Sequence, residues 1–373
     1  MVKTRSLSTQ IFLAALTLIL SGCAPRGSFA HVSPESIVLS RGSPAPFLSI
    51  AVLSGILYAV YADRATTTLD LIEIPDRPHL PSAAPAPQVI DRVDVVAPLS
   101  PAFGEHVLSV GGGSAAVLYL DRETDVKNVL KLATRSLGQP QWQLEVLEPA
   151  GDPLALVPDG EGGFDAAWSS GLLSYRPVGH GGTSGTPVLP FKVQGQPSPD
   201  GSGGFTAFDS LTSSLLFVRW TGPGFETHVV DGGTPVQASL RSASGRLKVV
   251  TWDSRTRRLI LHQEAAPGGK LSSATVTLCE GTKRLALLPG VSDSTVLVVF
   301  DETHSVGAGK TAYQVSLIAP GSLLGGRGTR YRKAVVTSGD SPIEGFAAVR
   351  TADALYVLVS QGDLRLLRIP LSP

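Results

Sequence analysis

A short pattern, Gly-Phe-x-Ala followed by an apolar residue, occurs three times: Gly163-Phe164-Asp165-Ala166-Ala167, Gly204-Phe205-Thr206-Ala207-Phe208 and Gly345-Phe346-Ala347-Ala348-Val349. The intervals are 41 and 141 residues, the second being three times 47. Self-similarity at about 40–50 residues is the sequence signature of propeller blades. After each copy comes a second apolar run: Leu172 to Tyr175, Leu215 to Trp220 and Leu355 to Val359. Runs of the same type, closing on an aromatic and then Asp, stand at Ile56 to Tyr61 before Asp63, Val117 to Tyr119 before Asp121, Leu247 to Trp252 before Asp253, and Val296 to Phe300 before Asp301. That makes seven candidate strands of one kind. Their spacing is uneven, 45 residues from Tyr175 to Trp220 against 32 from Trp220 to Trp252, as variable loops would produce.

Most of these strands are followed by a polar turn and another apolar run, for example Arg258 to His262 or Leu364 to Ile369, so one unit reads as an antiparallel meander. A lone four-stranded meander cannot bury both of its faces, whereas several packed radially bury each face against the next. The expectation is an all-β chain folded as a β-propeller with seven blades of four-stranded meanders. The alternative is a pair of tandem β-sandwiches, which also have many short strands but no reason to repeat Gly-Phe-x-Ala at that period. Composition agrees with either. Gly 40 and Pro 28 indicate many turns without the one-in-three glycine of collagen, and 43% apolar with 17% charged residues excludes a disordered chain. With 31 basic against 31 acidic residues, nothing points to a nucleic-acid partner.

Four segments stand apart from the repeat. Val126, Val129, Leu130, Ala133 and Leu137 follow helical spacing between Thr124 and Gly138, while the alternation of Leu130, Leu132 and Thr134 fits a strand. The apolar run Phe47 to Ala62 is broken by Ser54-Gly55 and reads as two paired strands rather than a membrane span. Seven prolines between Pro75 and Pro101 suggest a stiff connector. Ser36-Ile37-Val38-Leu39 is a strand that would complete the last blade.

The chain opens with Lys3 and Arg5 ahead of the apolar run Ile11 to Leu20, the order of an export signal whose core is too short to span a bilayer. Leu20-Ser21-Gly22-Cys23 follows and resembles the lipobox of bacterial lipoproteins. The resemblance covers this export segment and implies removal of residues 1–22 with acylation of Cys23. It implies two or three acyl chains at about 0.8 kcal/mol per buried CH₂, a stable membrane anchor. The expected organisation is then a signal peptide at 1–22, a lipidated N-terminus and tether at 23–46, and the propeller at 47–373. With Cys23 acylated, Cys279 has no disulfide partner and reads as a small buried hydrophobe.

Candidate chemistry is sparse. Gly182-Thr183-Ser184-Gly185-Thr186-Pro187 resembles the nucleophile loop of trypsin-like serine proteases, and His180 is near, but no histidine segment of that family precedes it and the turn reading is preferred. Gly307-Ala308-Gly309-Lys310-Thr311 ends like a phosphate-binding loop yet runs into a strand, which leaves no helix dipole to aim at a phosphate. Asp63, Asp121, Asp253 and Asp301 recur at one place in the repeat. Together they would make a carboxylate ring able to hold a cation; singly they would bind turn amides, the preferred reading. No His or Cys spacing suggests a metal, and no cofactor is expected. Arg327, Arg330, Arg332 and Lys333 form a basic stretch expected to be a solvated loop.

Taken together the expected function is that of a non-catalytic, lipid-anchored scaffold in the bacterial cell envelope that binds another envelope or host protein. It resembles, in architecture alone, the propeller lipoproteins of envelope assembly machinery, without the Trp- and Gly-bearing blade motifs of the quinoprotein type. The alternatives are a hydrolase or lyase with its site in the central channel, and a binder of small ligands or cations.

Overall fold

A computed structural model of the chain describes residues 34–41, 44–94, 103–124, 127–147, 150–158, 163–178, 186–200, 204–220, 225–231, 236–278, 281–289, 295–304, 311–320 and 331–371. Lipobox residues Leu20 to Cys23, and with them Cys279, His180, Ser184, Arg327 and Arg330, lie outside the described residues. Among the described residues the regular structure is all strand.

The chain begins with β1 (Glu35–Ser40) and then lays down consecutive four-stranded meanders. The first sheet holds β2 (Pro44–Leu53), β3 (Ile56–Asp63), β4 (Thr68–Pro75) and β5 (Gln88–Arg92). The second holds β6 (His106–Gly111), β7 (Ser114–Thr124), β8 (Lys127–Ser136) and β9 (Gln143–Leu147), and the third β10 (Asp152–Pro158), β11 (Phe164–Ser169), β12 (Gly171–Val178) and β13 (Thr186–Phe191). β14 (Val193–Pro199), β15 (Gly204–Asp209), β16 (Ser214–Trp220) and β17 (Phe225–Asp231) form the fourth sheet. The fifth contains β18 (Gln237–Arg241), β19 (Leu247–Asp253), β20 (Arg258–Glu264) and β21 (Leu271–Leu278), and the sixth β22 (Thr282–Pro289), β23 (Thr295–His304), β24 (Thr311–Pro320) and β25 (Tyr331–Gly339). The last sheet is composite: β26 (Gly345–Arg350), β27 (Ala354–Gln361) and β28 (Asp363–Pro370) take β1 as their fourth strand, with Ile37 opposite Leu366.

The ring is closed by its cores. Each hydrophobic cluster sits between two neighbouring sheets, so that β3 sends Tyr58, Val60 and Ala62 toward the second sheet and Leu57, Ala59 and Tyr61 toward the last. The same alternation in β7 puts Val117 and Tyr119 on the first-sheet side and Ala116 and Leu118 against Leu156, Phe164 and Trp168 of the third. Period-two alternation with both faces apolar is what a strand buried on both sides requires. Leu355, Val357 and Val359 of β27 meet Val315 and Leu317 of the sixth sheet, while Tyr356 and Leu358 meet the first, which completes the circle. This is a β-propeller, with the first strand of each sheet packed against the first strands of its neighbours around a central channel.

Several expectations change. Residues 127–136 form β8, paired along its length with β7; its apolar residues face two sheets at once, and that double facing imitates helical spacing. The proline-rich 75–101 segment contains β5, and β1 and the start of β2 precede residue 47. Tyr331, Arg332 and Lys333 belong to β25 rather than to a loop. The Gly-Phe-x-Ala copies are also out of phase: two open the second strands β11 and β15, whereas the third opens the first strand β26. Gly204 and Gly345 share a packing reason. A Cβ on Gly204 would come within 2.5 Å of the Phe217 ring, and one on Gly345 within 2.1 Å of the Pro46 carbonyl.

Candidate functional site

Four antiparallel strands return the chain to the end of the sheet where it started, so every first strand begins at one mouth of the channel, called here the entry mouth. A cavity of about 740 Å³ opens among these strands, lined from all seven sheets. Such a volume is within the usual range for a small-molecule site. Its walls are mainly apolar, with Phe47, Leu285 and Phe346 near the strand starts. The acidic, basic and amide groups lie at the entry end, Glu105 just before β6, Gln194 early in β14, Gln237 at the head of β18 and Arg284 early in β22, with Ser49, Ser198 and Ser239 further along the strands.

Glu105 and Arg284 come from the second and sixth sheets and so face each other across the ring. Burial, together with the charge of Asp152, raises the Glu105 carboxyl to about 7 against the opposing pull of Arg122. Arg284 donates from Nη1 to the Pro46 carbonyl at 2.7 Å, and burial lowers its pKa. His106 also borders the cavity but is occupied: Nδ1 lies 2.6 Å from the Gly104 carbonyl and Nε2 3.3 Å from that of Val60. Burial lowers its pKa to about 4, so the ring is neutral and has one N–H, which the shorter contact assigns to Nδ1. Only 4% exposed, it packs between the first and second sheets and is not an available base.

Buried ion pairs fix the segments that carry these groups. The Asp94 carboxylate accepts from the Gly104 and Arg122 amides at 2.9 and 2.7 Å and pairs with the Arg122 guanidinium at 3.1 Å. Asp121 accepts from the Asp94 amide at 2.8 Å and pairs with Lys131 at 2.7 Å; Lys131 also reaches Asp91 at 3.2 Å. This network ties Asp91, Asp94 and Gly104 to the second sheet and thereby positions Glu105. Between the fourth and fifth sheets Arg241 pairs with Asp200 at 3.1 Å and lies over the Phe217 ring.

Three of the four recurring acids are taken up by turn and interface contacts. Asp63 accepts from the Ala65 amide at 2.8 Å, Asp253 from the Arg255 amide at 2.9 Å and the Thr256 hydroxyl at 2.7 Å, and Asp121 belongs to the network above. Asp301 stands on β23 opposite Gln314. Asp209 plays the same part at the end of β15, accepting from the Leu211 amide and the Thr212 hydroxyl. Sequence reasoning passed over Asp209 because it took β16, not β15, as the repeated strand. Among the described residues no group of three or more His, Cys, Asp or Glu could hold a metal ion. Glu105 and Arg284 were also missed; their one signal is a charged residue at the head of a short apolar strand.

No protein-family model matches the chain, and no curated protein sequence matches it. Solved structures do. A streptogramin B lyase structure is similar over 92% of this chain and 98% of that one, with a TM-score of 0.53 at 10% identity. YCF48 bound to a D1 peptide is similar over the same shares, with a TM-score of 0.55 at 14% identity. At these identities the likeness is one of fold, and with the closed ring of sheets it makes this chain an all-β protein of β-propeller fold.

Proposed function

We propose that the protein is an exported, lipid-anchored propeller of seven blades that serves the bacterial cell envelope as a non-catalytic scaffold for another envelope or host protein. The observation that carries this reading is the place of β1. As the outer strand of the last sheet, antiparallel to β28, it starts at the mouth opposite the entry mouth, and Glu35 there binds the His79 ring and the Leu80 amide. Cys23 precedes Glu35 by 12 residues, a leash of at most about 40 Å. Acylated there, the chain draws the opposite mouth toward the bilayer and presents the entry mouth outward. That a propeller of similar shape was solved with a D1 peptide bound supports a polypeptide partner.

A second reading, a hydrolase or lyase working in the channel, is favoured by Glu105, whose carboxyl near 7 suits a general acid or base. One experiment separates the two. Cross-linking in intact producing cells, comparing the native protein with Cys23→Ala, is expected to trap one stoichiometric partner with the native protein and to lose it with the variant. A native protein that partitions with the soluble fraction, or that cross-links to nothing, contradicts the scaffold reading.

A further inference from the structure

We propose that the entry mouth of the channel binds a small organic monoanion, a carboxylate on an apolar body, with Arg284 as its anchor. Four arginines largely withdrawn from solvent elsewhere in the protein sit against acids. Arg122 pairs with Asp94, Arg135 with Glu73, Arg241 with Asp200 and Arg368 with Glu35. Arg284 lines the cavity and, among the described residues, has no such partner; its one hydrogen bond goes to a backbone carbonyl, and burial alone shifts its pKa. A guanidinium has five donors in a planar fork that matches a carboxylate, and withdrawing it from water without a counter-charge is costly. The cavity beside it has room for an anion on that fork.

The rest of the wall sets the class of ligand. Phe47 and Phe346 flank the channel near Arg284, and Leu285 follows it in β22, so an aromatic or aliphatic body is accommodated beside the charge. On the far side of the ring stand Glu105 and, at the head of β10, Asp152. Neither supplies a second cation, and among the described residues Arg284 is the one arginine or lysine in the cavity wall, so the site matches a single negative charge. The site is independent of the lipid anchor, and its failure would leave the scaffold reading standing.

The test is calorimetric titration of the purified mature protein at pH 6 with 4-phenylbutyrate, and in parallel with 4-phenylbutyramide, its neutral isostere. One site per chain is expected for the carboxylate, with at least tenfold weaker binding of the amide. Arg284→Gln is expected to bind the carboxylate at least tenfold more weakly, with Arg284→Lys in between. No binding of 4-phenylbutyrate at millimolar concentration, equal affinity for the amide, or unchanged affinity in a folded Arg284→Gln variant would each overturn the proposal. The comparison of carboxylate with amide needs only the native protein, so it decides the matter if the variant does not fold.

Discussion

Deleting β1 opens the ring, and the cost follows from what the strand covers. Ile37 and Leu39 are each only 7% exposed and belong to the cluster built on Tyr356, Leu358, Leu364 and Leu366. Re-exposing two large aliphatic side chains costs about 1.5–3 kcal/mol apiece, or about 3–6 kcal/mol together. The loss also unpairs the outer edge of β28 and releases Glu35 from Leu80, to which it is bonded at 2.8 Å, and from Arg368 at 3.5 Å. Against a typical stability of about 5–15 kcal/mol this leaves a variant starting at residue 42 near the limit of folding. The assay is urea unfolding of chains that start at residue 34 and at residue 42, followed by tryptophan fluorescence. A midpoint lowered by the equivalent of about 3 kcal/mol or more is expected, with recovery on adding a peptide of residues 34–41, since an exposed strand edge accepts an added strand. A midpoint unchanged within about 0.5 kcal/mol would refute closure of the ring by β1.

Three further outcomes are expected. Glu105 holds its proton up to about pH 7 in the fold but only to about 4.5 when unfolded, so stability falls as pH rises between those values; Glu105→Gln should remove that slope and add about 1–2 kcal/mol at pH 8, read by urea titration at pH 5 and 8. His106 has the opposite sign: the unfolded ring gains a proton below about 6.5 and the folded ring only near 4, so stability falls on acidification through that window. His106→Asn should flatten the loss between pH 7 and 4.5 by about 2–3 kcal/mol, whatever it does to stability at pH 7. Asp200→Ala removes the nearer carboxylate from Arg241, leaving it Glu264 at 3.8 Å and the Gly245 carbonyl, and strands the Gly204 amide; a loss of about 2 kcal/mol in thermal or urea unfolding is expected.

The repeat in the sequence was enough to reach a propeller, because the middle strands of each sheet are buried on both faces and keep a dense apolar pattern. The same property blurred the phase. Leu215 to Trp220 lies in the third strand of its sheet and Leu247 to Trp252 in the second, yet both are apolar runs ending in tryptophan. Their 32-residue spacing therefore mixes two positions in the meander, and the error hid Asp209 in its turn. The role of Ser36 to Leu39 was legible because an orphan strand at one end of the chain has a partner only in an incomplete sheet at the other. The channel was not legible. Its first strands carry charged or amide groups at the entry mouth, so Glu105, Gln237 and Arg284 look like loop residues in the linear chain, and only ring closure brings them to one cavity.

The most direct test of the proposed function is the intact mass of the protein recovered from the membranes of bacteria that make it, with detergent-phase partitioning alongside. The account predicts a chain that begins at Cys23, carries the mass of a diacylglyceryl group with or without a further acyl chain, and enters the detergent phase. An unmodified chain in the aqueous phase, or one cleaved at any other residue, would contradict it.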